Sequence, residues 1–259
     1  MAENSQLVKI EDVSMEYGEG SQRTVALDKI NLTVNKGEFI CVLGPSGCGK
    51  STLLEIIAGY QFPTKGKAFF QGKPIKGPDW HKGVVFQSPT LYPWLSVEEN
   101  VAFGPKMRGL DSKEIKEKTE NFLRQIDLSS EGDKNVFDLS GGMKQRVALA
   151  RVLANEPEMV LMDEPLGALD ALTRLNMQGL IRTLWKENKN TVLMITHDVD
   201  EALALGTKVV VMSKQPGTIL KEINVDYTYT AFQSDTHRIE MDEKYLKTKE
   251  EILGLITYN

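Results

Sequence analysis

Apolar runs of strand length recur along the chain, and several of them are followed by segments with helical spacing. Residues 39–43 form an unbroken apolar run, and a glycine-rich turn then leads into residues 53–58, which predict a helix. Further buried strands are predicted at residues 83–86, 159–162 and 191–195. Apolar strands interspersed with helices are typical of an α/β fold with an open sheet.

Two other regions depart from this alternation. Short apolar runs alternate with turns in residues 7–34 and again in residues 66–86, where the last run is the buried strand named above. This alternation predicts an antiparallel sheet. From residue 88 to about 157 the spacing becomes helical, and capping-box sequences begin at Ser96 and Asp111. We interpret this second region as an inserted helical lobe.

The end of the chain, residues 222–259, shows the least regular pattern. A set of large side chains in its closing segment nevertheless recurs at helical intervals: Tyr245, Leu246, Ile252, Leu253 and Ile256. A docked terminal helix is the simplest interpretation of this spacing.

The turn after residues 39–43 carries a phosphate-binding pattern. Residues 44–51 fit the spacing G-x-x-x-x-G-K-[ST], whose glycines let successive backbone N–H groups surround a phosphate at a helix N-terminus. Lys50 would reach the β- and γ-phosphates, and Ser51 would hold Mg²⁺. The structural alternative, a glycine-rich turn that happens to contain Lys-Ser, is disfavoured by the flanking strand and helix. We therefore predict a nucleoside triphosphate ligand, bound by Gly44, Pro45, Ser46, Gly47, Cys48, Gly49, Lys50, Ser51 and Thr52.

A second candidate anion site begins at Ser140, which is followed by Gly141, Gly142 and a helical segment. A serine and two glycines at a helix start offer a hydroxyl, unpaired backbone N–H groups and a favourable helix dipole. One chain therefore contains two candidate phosphate-binding loops.

Polar side chains end three of the predicted buried strands. They are Gln87 after the first, Asp163 and Glu164 after the second, and His197 after the third. In open α/β sheets the ligand chemistry gathers at the carboxyl ends of strands. Successive side chains of an extended segment point in different directions, so we assign Asp163 to Mg²⁺ and Glu164 to the attacking water. A lone Asp-Glu pair or a lone histidine is more often structural, and it is their convergence that favours function.

Composition limits the classes of partner. The 259 residues contain 31 lysines and arginines against 36 acidic residues, and the net charge of −5 without a long basic run disfavours nucleic acid. No apolar run approaches the roughly 18 residues needed to span a bilayer, and the N-terminus lacks the layout of a signal peptide. From these features we expect a cytoplasmic protein.

The chain has two cysteines, Cys41 in the predicted strand and Cys48 in the phosphate loop, so no disulfide framework is implied. The simplest interpretation of each is a small packing residue. Because the loop of Cys48 faces the predicted ligand, alkylation of this thiol is nevertheless expected to block nucleotide binding.

With these pieces assembled, the chain resembles the ATP-binding cassette (ABC) ATPases that drive membrane transporters. The resemblance covers roughly residues 7–218 and rests on an ordered set of motifs: Tyr17, the loop at residues 44–51, Gln87, Leu139-Ser140-Gly141-Gly142, Asp163-Glu164, Ala168-Leu169-Asp170 and His197. It implies an α/β P-loop NTPase with a RecA-like core, an N-terminal antiparallel β layer and an inserted helical subdomain. On this basis we divide the chain into an ABC ATPase domain at residues 1–225, with the helical subdomain at about 88–157, and a tail at residues 226–259 with a terminal helix.

The resemblance also implies a role for each matching side chain. Tyr17 would stack on adenine, Gln87 would touch Mg²⁺ and relay contact with a membrane subunit, and Glu164 would polarise the attacking water. His197 would hold the γ-phosphate, and Asp170 would lie at the seam of a head-to-tail homodimer. Each ATP would lie between the phosphate loop of one chain and the Ser-Gly-Gly signature of the other.

Finer features resemble the bacterial importer branch that handles nitrate, taurine or aliphatic sulfonates. They lie at residues 85–87, 93–95, 100–104, 196–202 and 216–217, whereas Leu166 stands where that branch would lead us to expect an aromatic residue. The resemblance implies separate permease subunits and, indirectly, a solute-binding protein, with this chain peripheral on the cytoplasmic face of the cell membrane. Docking to the permease would use Gln87 and the apolar segment at residues 91–95.

Two alternatives belong to other classes. One is a soluble ABC ATPase acting in translation or DNA repair, although such relatives usually carry two cassettes or a long coiled-coil insertion. The other is a small-molecule kinase built on a phosphate loop, which would leave the Ser-Gly-Gly motif without a role.

Overall fold

The computed structural model describes residues 6–18, 20, 23–233 and 239–258. They fold as two compact units. One unit comprises the described residues up to Asp79 together with those from Thr191 onward, and the other is Trp80–Asn190.

The elements follow one another in a mixed order of strands and helices. In chain order the strands are β1 (Gln6–Tyr17), β2 (Thr24–Asn35), β3 (Phe39–Leu43), β4 (Lys65–Phe70), β5 (Lys73–Pro74), β6 (Lys82–Val85), β7 (Met159–Asp163), β8 (Thr191–Ile195), β9 (Lys208–Met212) and β10 (Ile219–Asn224). The helices are α1 (Lys50–Ala58), α2 (Val97–Met107), α3 (Ser112–Gln125), α4 (Gly141–Leu153), α5 (Ala171–Asn188), α6 (Val199–Leu205), α7 (Tyr227–Gln233) and α8 (Glu243–Tyr258). No helix of the described residues is both long enough and apolar enough to cross a membrane.

The predicted antiparallel sheet at the start of the chain is confirmed, with strands in the order β2-β1-β4-β5. The short apolar runs of residues 7–34 join into two long strands, because residues such as Asp12 and Lys29 adopt positive φ within them and shift the register locally. The apolar side chains of β1 and β2 are buried on one side, as their alternation with polar residues requires.

β3 lies at the centre of the parallel strands of the same unit. It pairs in parallel with β8 on one side and with β9 on the other, and every residue of it is buried. A strand with neighbours on both edges and cover on both faces is apolar at every position. This burial explains why residues 39–43 show no alternation. β10 continues the sheet antiparallel to β9.

The other unit contains the parallel pair β6 and β7 together with helices α2 to α5. Both predicted helix starts are confirmed. Ser96 and Glu99 exchange the two hydrogen bonds of a capping box, and the Asp111 carboxylate accepts from the first turn of α3. Each cap satisfies N–H groups that the helix itself leaves unpaired.

The apolar side chains of α5 and α8 do not all lie on buried faces. In α5 the Leu175 side chain is 55% exposed, whereas Ile181 and Leu184 are buried. At about 100° per residue, a position six residues before Ile181 lies far around the helix from it.

The same geometry corrects the terminal helix. Tyr245 and Ile252, seven residues apart, are buried on one face of α8. Leu246 and Leu253 each follow one residue later, rotated by about 100°, and are 50% and 43% exposed. The buried stripe of α8 is therefore narrower than the sequence pattern indicated.

Candidate functional site

The phosphate loop connects the buried end of β3 to the start of α1, as predicted. Gly47 and Gly49 have φ of 77° and 93°, a conformation that residues with a side chain rarely adopt. A β-carbon on Gly49 would also lie 2.6 Å from Leu27 Cδ2 and 2.9 Å from the Ala26 carbonyl oxygen. Gly49 is the N-cap of α1 and brings no side chain to its first turn. These features suit an anion as the partner of the helix N-terminus.

Lys50 is buried within this loop. Its ammonium group donates to the carbonyl oxygens of Gly44 at 2.8 Å and Pro45 at 2.9 Å, which satisfies a charge that would be costly to bury alone. The side chain therefore curls over the loop that is predicted to hold the phosphates. Ser51 follows it in the first turn of α1 and is exposed.

Tyr17 ends β1 beside the first turn of α1. Its hydroxyl donates to Gln61 Oε1 at 2.7 Å and lies 3.4 Å from the Thr52 hydroxyl, while the ring is 39% exposed. Gln61 in turn donates to Glu55 at 2.5 Å. The structure thus brings Tyr17 to the helix that carries the phosphate loop, and its orientation depends on Gln61, a residue that the motif pattern does not include.

His197 lies at the same sheet edge as the phosphate loop. β3 and β8 are adjacent and parallel, with Val42 opposite Ile195, so the segments that follow them leave the sheet side by side. The Thr196 N–H donates to the Val42 carbonyl oxygen at 3.2 Å. The side chain of His197 is exposed.

A buried carboxylate holds the residue before His197. The Thr196 hydroxyl donates to Glu201 Oε2 at 2.7 Å and accepts from the Asp198 N–H at 3.1 Å. Asp198 then caps α6 by accepting from the N–H groups of Asp200 and Glu201. The sequence motifs assign no role to Thr196 or Glu201. The available signal was a hydroxyl residue at the strand end with an acid five positions later.

In the other unit, Gln87 and the two carboxylates also share a strand edge. β6 and β7 are parallel, with Val85 opposite Met162, so Gln87, Asp163 and Glu164 follow at the same end. A β-carbon built on Gly167 would lie 3.5 Å from Gln87 Nε2 and 3.7 Å from Glu164 Oε2. The amide of Gln87 and the carboxylate of Glu164 therefore both reach the space beside Gly167.

The backbone at Glu164 is unusual. Its φ is 44°, a left-handed conformation that is uncommon for residues other than glycine, asparagine and aspartate. The Glu164 carbonyl oxygen accepts from the Gly167 N–H at 3.2 Å, which closes a tight turn. Such conformations persist where surrounding contacts enforce them, and they are frequent at functional sites.

The Ser-Gly-Gly motif begins α4 as predicted. The Ser140 hydroxyl accepts from the Met143 N–H at 3.3 Å, and Ser140 and Gly141 are exposed. A β-carbon on Gly141 would have no neighbour within 4 Å, whereas one on Gly142 would lie 2.7 Å from Thr173 Cγ2. The motif thus presents an open helix N-terminus to its surroundings.

Asp170 is the N-cap of α5. Its carboxylate accepts from the Thr173 N–H at 3.0 Å, and hydrogen bonds from Thr173 hold the pKa of Asp170 below its ordinary value. Because Thr173 also borders Gly142, the Ser-Gly-Gly motif and the Asp170 cap lie on neighbouring helix starts within this unit.

Both cysteines are free and buried, in agreement with the interpretation as packing residues. Burial raises the pKa of Cys48, an effect that the nearby charge of Lys50 opposes. Burial and the Glu201 carboxylate raise the pKa of Cys41. Neither environment activates a thiol.

The predicted Mg²⁺ ligands are chemically suited to that ion. A serine hydroxyl, an amide oxygen and a carboxylate, from Ser51, Gln87 and Asp163, are hard oxygen donors, which Mg²⁺ prefers. Among the described residues, no cluster of three or more His, Cys, Asp or Glu side chains could hold a metal ion.

Comparison with known proteins decides the family. The profile of the family described as "ABC transporter" matches residues 27–167. The chain belongs to this family. It is 46% identical over 96% of its length to the "Taurine import ATP-binding protein TauB" of Ruegeria pomeroyi, of which it covers 93%. It is also 44% identical, over 95% of its length and 92% of the relative's, to an uncharacterized ABC transporter ATP-binding protein of Methanocaldococcus jannaschii.

Solved ABC structures confirm the fold. The "cbiO1" protein of Clostridium perfringens, described as part of an ABC transporter complex, matches with a TM-score of 0.80 and 30% identity over 96% of this chain and 95% of its own. The ATP-binding cassette MJ0796, in a dimeric structure bound to ADP and Pi, matches with a TM-score of 0.74 and 31% identity over 85% and 99%. The predicted α/β P-loop ABC fold is thereby confirmed, and as an ABC transporter ATP-binding protein the chain is an ATPase that uses ATP with Mg²⁺.

Proposed function

We propose that this chain is the energising subunit of an importer for taurine or a closely related sulfonate. The observation that carries the proposal is the 46% identity to a taurine import ATP-binding protein, because it extends over 96% of this chain and 93% of the relative. A second relative with the same name, from Pseudomonas aeruginosa, is 43% identical over 94% of the chain. These relatives do not favour an ATPase of translation or DNA repair.

In this proposal the residues at the β3 and β8 edge bind and orient ATP. Lys50 exchanges the carbonyl oxygens of Gly44 and Pro45 for phosphate oxygens, and the N-terminus of α1 receives the phosphates. The Tyr17 ring, held through Gln61, stacks on adenine. Phosphoryl transfer needs positioning and charge compensation more than covalent chemistry, which these groups supply.

The residues beside Gly167 act on the attacking water and the metal. Glu164 would orient the water and accept its proton, and Gln87, Asp163 and Ser51 are the residues that would hold Mg²⁺. When bound, Mg²⁺ neutralises charge that develops on the phosphate oxygens. The support is that Gln87 and Glu164 approach one small space next to Gly167. A change in the position of Gln87 would therefore alter the surroundings of the Glu164 carboxylate.

We propose that two copies of the chain form a head-to-tail homodimer. Ser140 and Gly141 of one copy would face the phosphates held by the other, and Asp170 would lie at the seam. The exposure of Ser140 and Gly141, and the open space around Gly141, support this arrangement because they leave a helix N-terminus available to an anion. The homologous cassette MJ0796 has been solved as a dimer.

The permease contact is assigned to the aromatic segment at residues 91–95. Trp94 is 74% exposed, and its ring lies 5.6 Å from that of Tyr92. The fully buried Asn100 fixes the segment, since it accepts from the Tyr92 N–H at 2.8 Å and donates to carbonyl oxygens, including that of Tyr92 at 3.1 Å. An exposed indole on a rigid loop suits a protein partner. The chain would then work on the cytoplasmic face of the membrane, served indirectly by a solute-binding protein.

The proposal predicts taurine uptake by the assembled transporter. The chain would be reconstituted into liposomes with candidate permease and solute-binding subunits. This chain and ATP would be enclosed in the vesicle lumen, and the uptake of radiolabelled taurine from outside would be followed. Uptake should require ATP and should be competed by aliphatic sulfonates but not by nitrate. Nitrate competition without sulfonate competition would contradict the proposed solute class.

A matched control distinguishes a loss of ATP-driven transport from a failure of the complex to assemble. Glu164→Gln should leave the complex intact but abolish ATP-driven uptake, because the group that orients the water is lost. Uptake that continues unchanged in this variant would show that the chain does not power the transporter through Glu164.

A further inference from the structure

Two side chains of the terminal helix α8 donate hydrogen bonds to one carboxylate of α6. The Tyr245 hydroxyl donates to Asp200 Oδ1 at 2.6 Å, and the Lys249 ammonium donates to Asp200 Oδ2 at 2.7 Å. Tyr245 and Lys249 are four residues apart, so they project from the same face of α8. Both oxygens of Asp200 are therefore engaged by the tail.

The packing of the tail holds Tyr245 in place for this contact with Asp200. The Tyr245 ring is fully buried and meets the Tyr227 ring edge-on at 5.2 Å, and the Tyr227 hydroxyl lies 3.1 Å from that of Thr248. Burial, followed by the hydrogen bond to Asp200, raises the pKa of Tyr245, so the phenol remains a donor. Partial burial alone would raise the pKa of Asp200, but the hydrogen bonds from Lys249 and Tyr245 outweigh it and lower that pKa.

Asp200 lies in the first turn of the helix that follows His197. The next residue, Glu201, is buried and accepts from the Thr196 hydroxyl, while Asp198 caps the same turn. His197 thus sits between two residues whose side chains are tied to the first turn of α6. A change in the position of that turn would move both ends of the His197 segment.

The geometry points to a positioning role for the tail: through Tyr245 and Lys249 it fixes the first turn of α6 and thereby the placement of His197. This inference rests on the proposed role of His197 at the γ-phosphate. It assigns to α8 a contribution to turnover rather than to ATP affinity, because His197 is one of several phosphate contacts but has a demanding geometry in the transition state.

The experiment removes the hydrogen bonds to Asp200 and keeps the helix α8. In the full chain assembled with its permease, Tyr245→Phe deletes the hydroxyl and Lys249→Met deletes the charge, and the two are also combined. The combined variant should lower kcat of ATP hydrolysis by about tenfold and leave KM for ATP within about twofold, since small displacements of a catalytic contact mainly cost turnover. Lys247→Met, an exposed lysine of α8 paired with Glu243, is the matched control and should leave kcat unchanged.

A double-mutant cycle with His197→Ala separates positioning from general stability. If the tail acts through His197, the combined tail variant should lower kcat by less than about twofold further in the His197→Ala background. An equal loss of kcat in both backgrounds, or a lowered melting temperature with unchanged kcat, would overturn the inference. If His197→Ala alone hydrolyses ATP at the normal rate, the proposed role of His197 fails first, and the inference fails with it.

Discussion

At the scale of single residues, the side chains named by sequence motifs depend on partners that no motif contains. Tyr17 is oriented by Gln61, and the residue before His197 is held by the buried Glu201. The groups proposed to touch the ligand could be named from the sequence because the spacing of their motifs is strict. It could not identify Gln61, which meets Tyr17 only through the packing of two distant segments.

At the glycines, too, some features could be predicted from the sequence and others could not. The need for Gly49 could be predicted from the loop pattern, although not its cause, which is the proximity of Leu27 and the Ala26 carbonyl. The left-handed conformation of Glu164 could not be predicted, since glutamate seldom adopts it. Only the tertiary structure shows that Gly167 leaves space that Gln87 and Glu164 both approach.

The environment of Cys48 leads to a prediction about its reactivity. The thiol is 1% exposed, and its sulfur would lie 2.8 Å from a β-carbon on Gly44, so an added alkyl group has no room beside the loop. Full alkylation should therefore abolish ATP binding. Because burial raises the pKa of Cys48, little thiolate is present at neutral pH, and the rate of alkylation should increase as the pH is raised into the alkaline range.

Mass spectrometry would locate the modification, and ATP binding would be measured at each extent of reaction. Cys48→Ala is the matched control and should bind ATP before and after treatment, since the remaining Cys41 lies in the core strand β3. Normal ATP binding by fully modified Cys48 would refute the prediction.

At the scale of elements, helix starts were predicted better than buried faces. Ser96 and Asp111 were identified from local hydrogen-bonding chemistry, which depends on residues a few positions apart. The predicted buried face of α8 was too wide, because Leu246 and Leu253 fit the helical pattern but do not lie on the docked side of the helix. On the docked side the Tyr245 hydroxyl donates to Asp200, a contact that spans 45 residues of sequence and that the helical pattern does not contain.

The segment at residues 91–95 gives an element-scale prediction. Trp94→Asp should abolish co-purification with the permease while sparing ATP binding, because it places a charge in an apolar contact without altering the loop that Asn100 holds. Phe137→Asp, at a residue that is 70% exposed in the same unit, is the matched control and should still co-purify. Pull-down by the tagged permease measures both, and intact assembly of the Trp94 variant would remove the docking assignment.

At the scale of the whole molecule, the fold class and family could be predicted from an ordered set of motifs. Buried strands were predicted from continuous apolar runs such as residues 39–43, which are typical of strands that are covered on both faces. The solute could not be predicted, since no residue of an energising subunit needs to touch it. The proposed solute therefore rests on similarity to named relatives.

The central claim is that ATP binds between two copies of the chain, with Lys50 from one and Ser140 and Gly141 from the other. The most direct measurement is the mass of Glu164→Gln in solution, by light scattering, with and without Mg-ATP. This variant should hydrolyse ATP about a hundredfold more slowly, so bound ATP persists. The account predicts a mass twice the 29.0 kDa of one chain with Mg-ATP, and 29.0 kDa without it or when Gly141→Asp is added. A 29.0 kDa species at saturating Mg-ATP, with full hydrolysis by the unmodified monomer, would contradict the account.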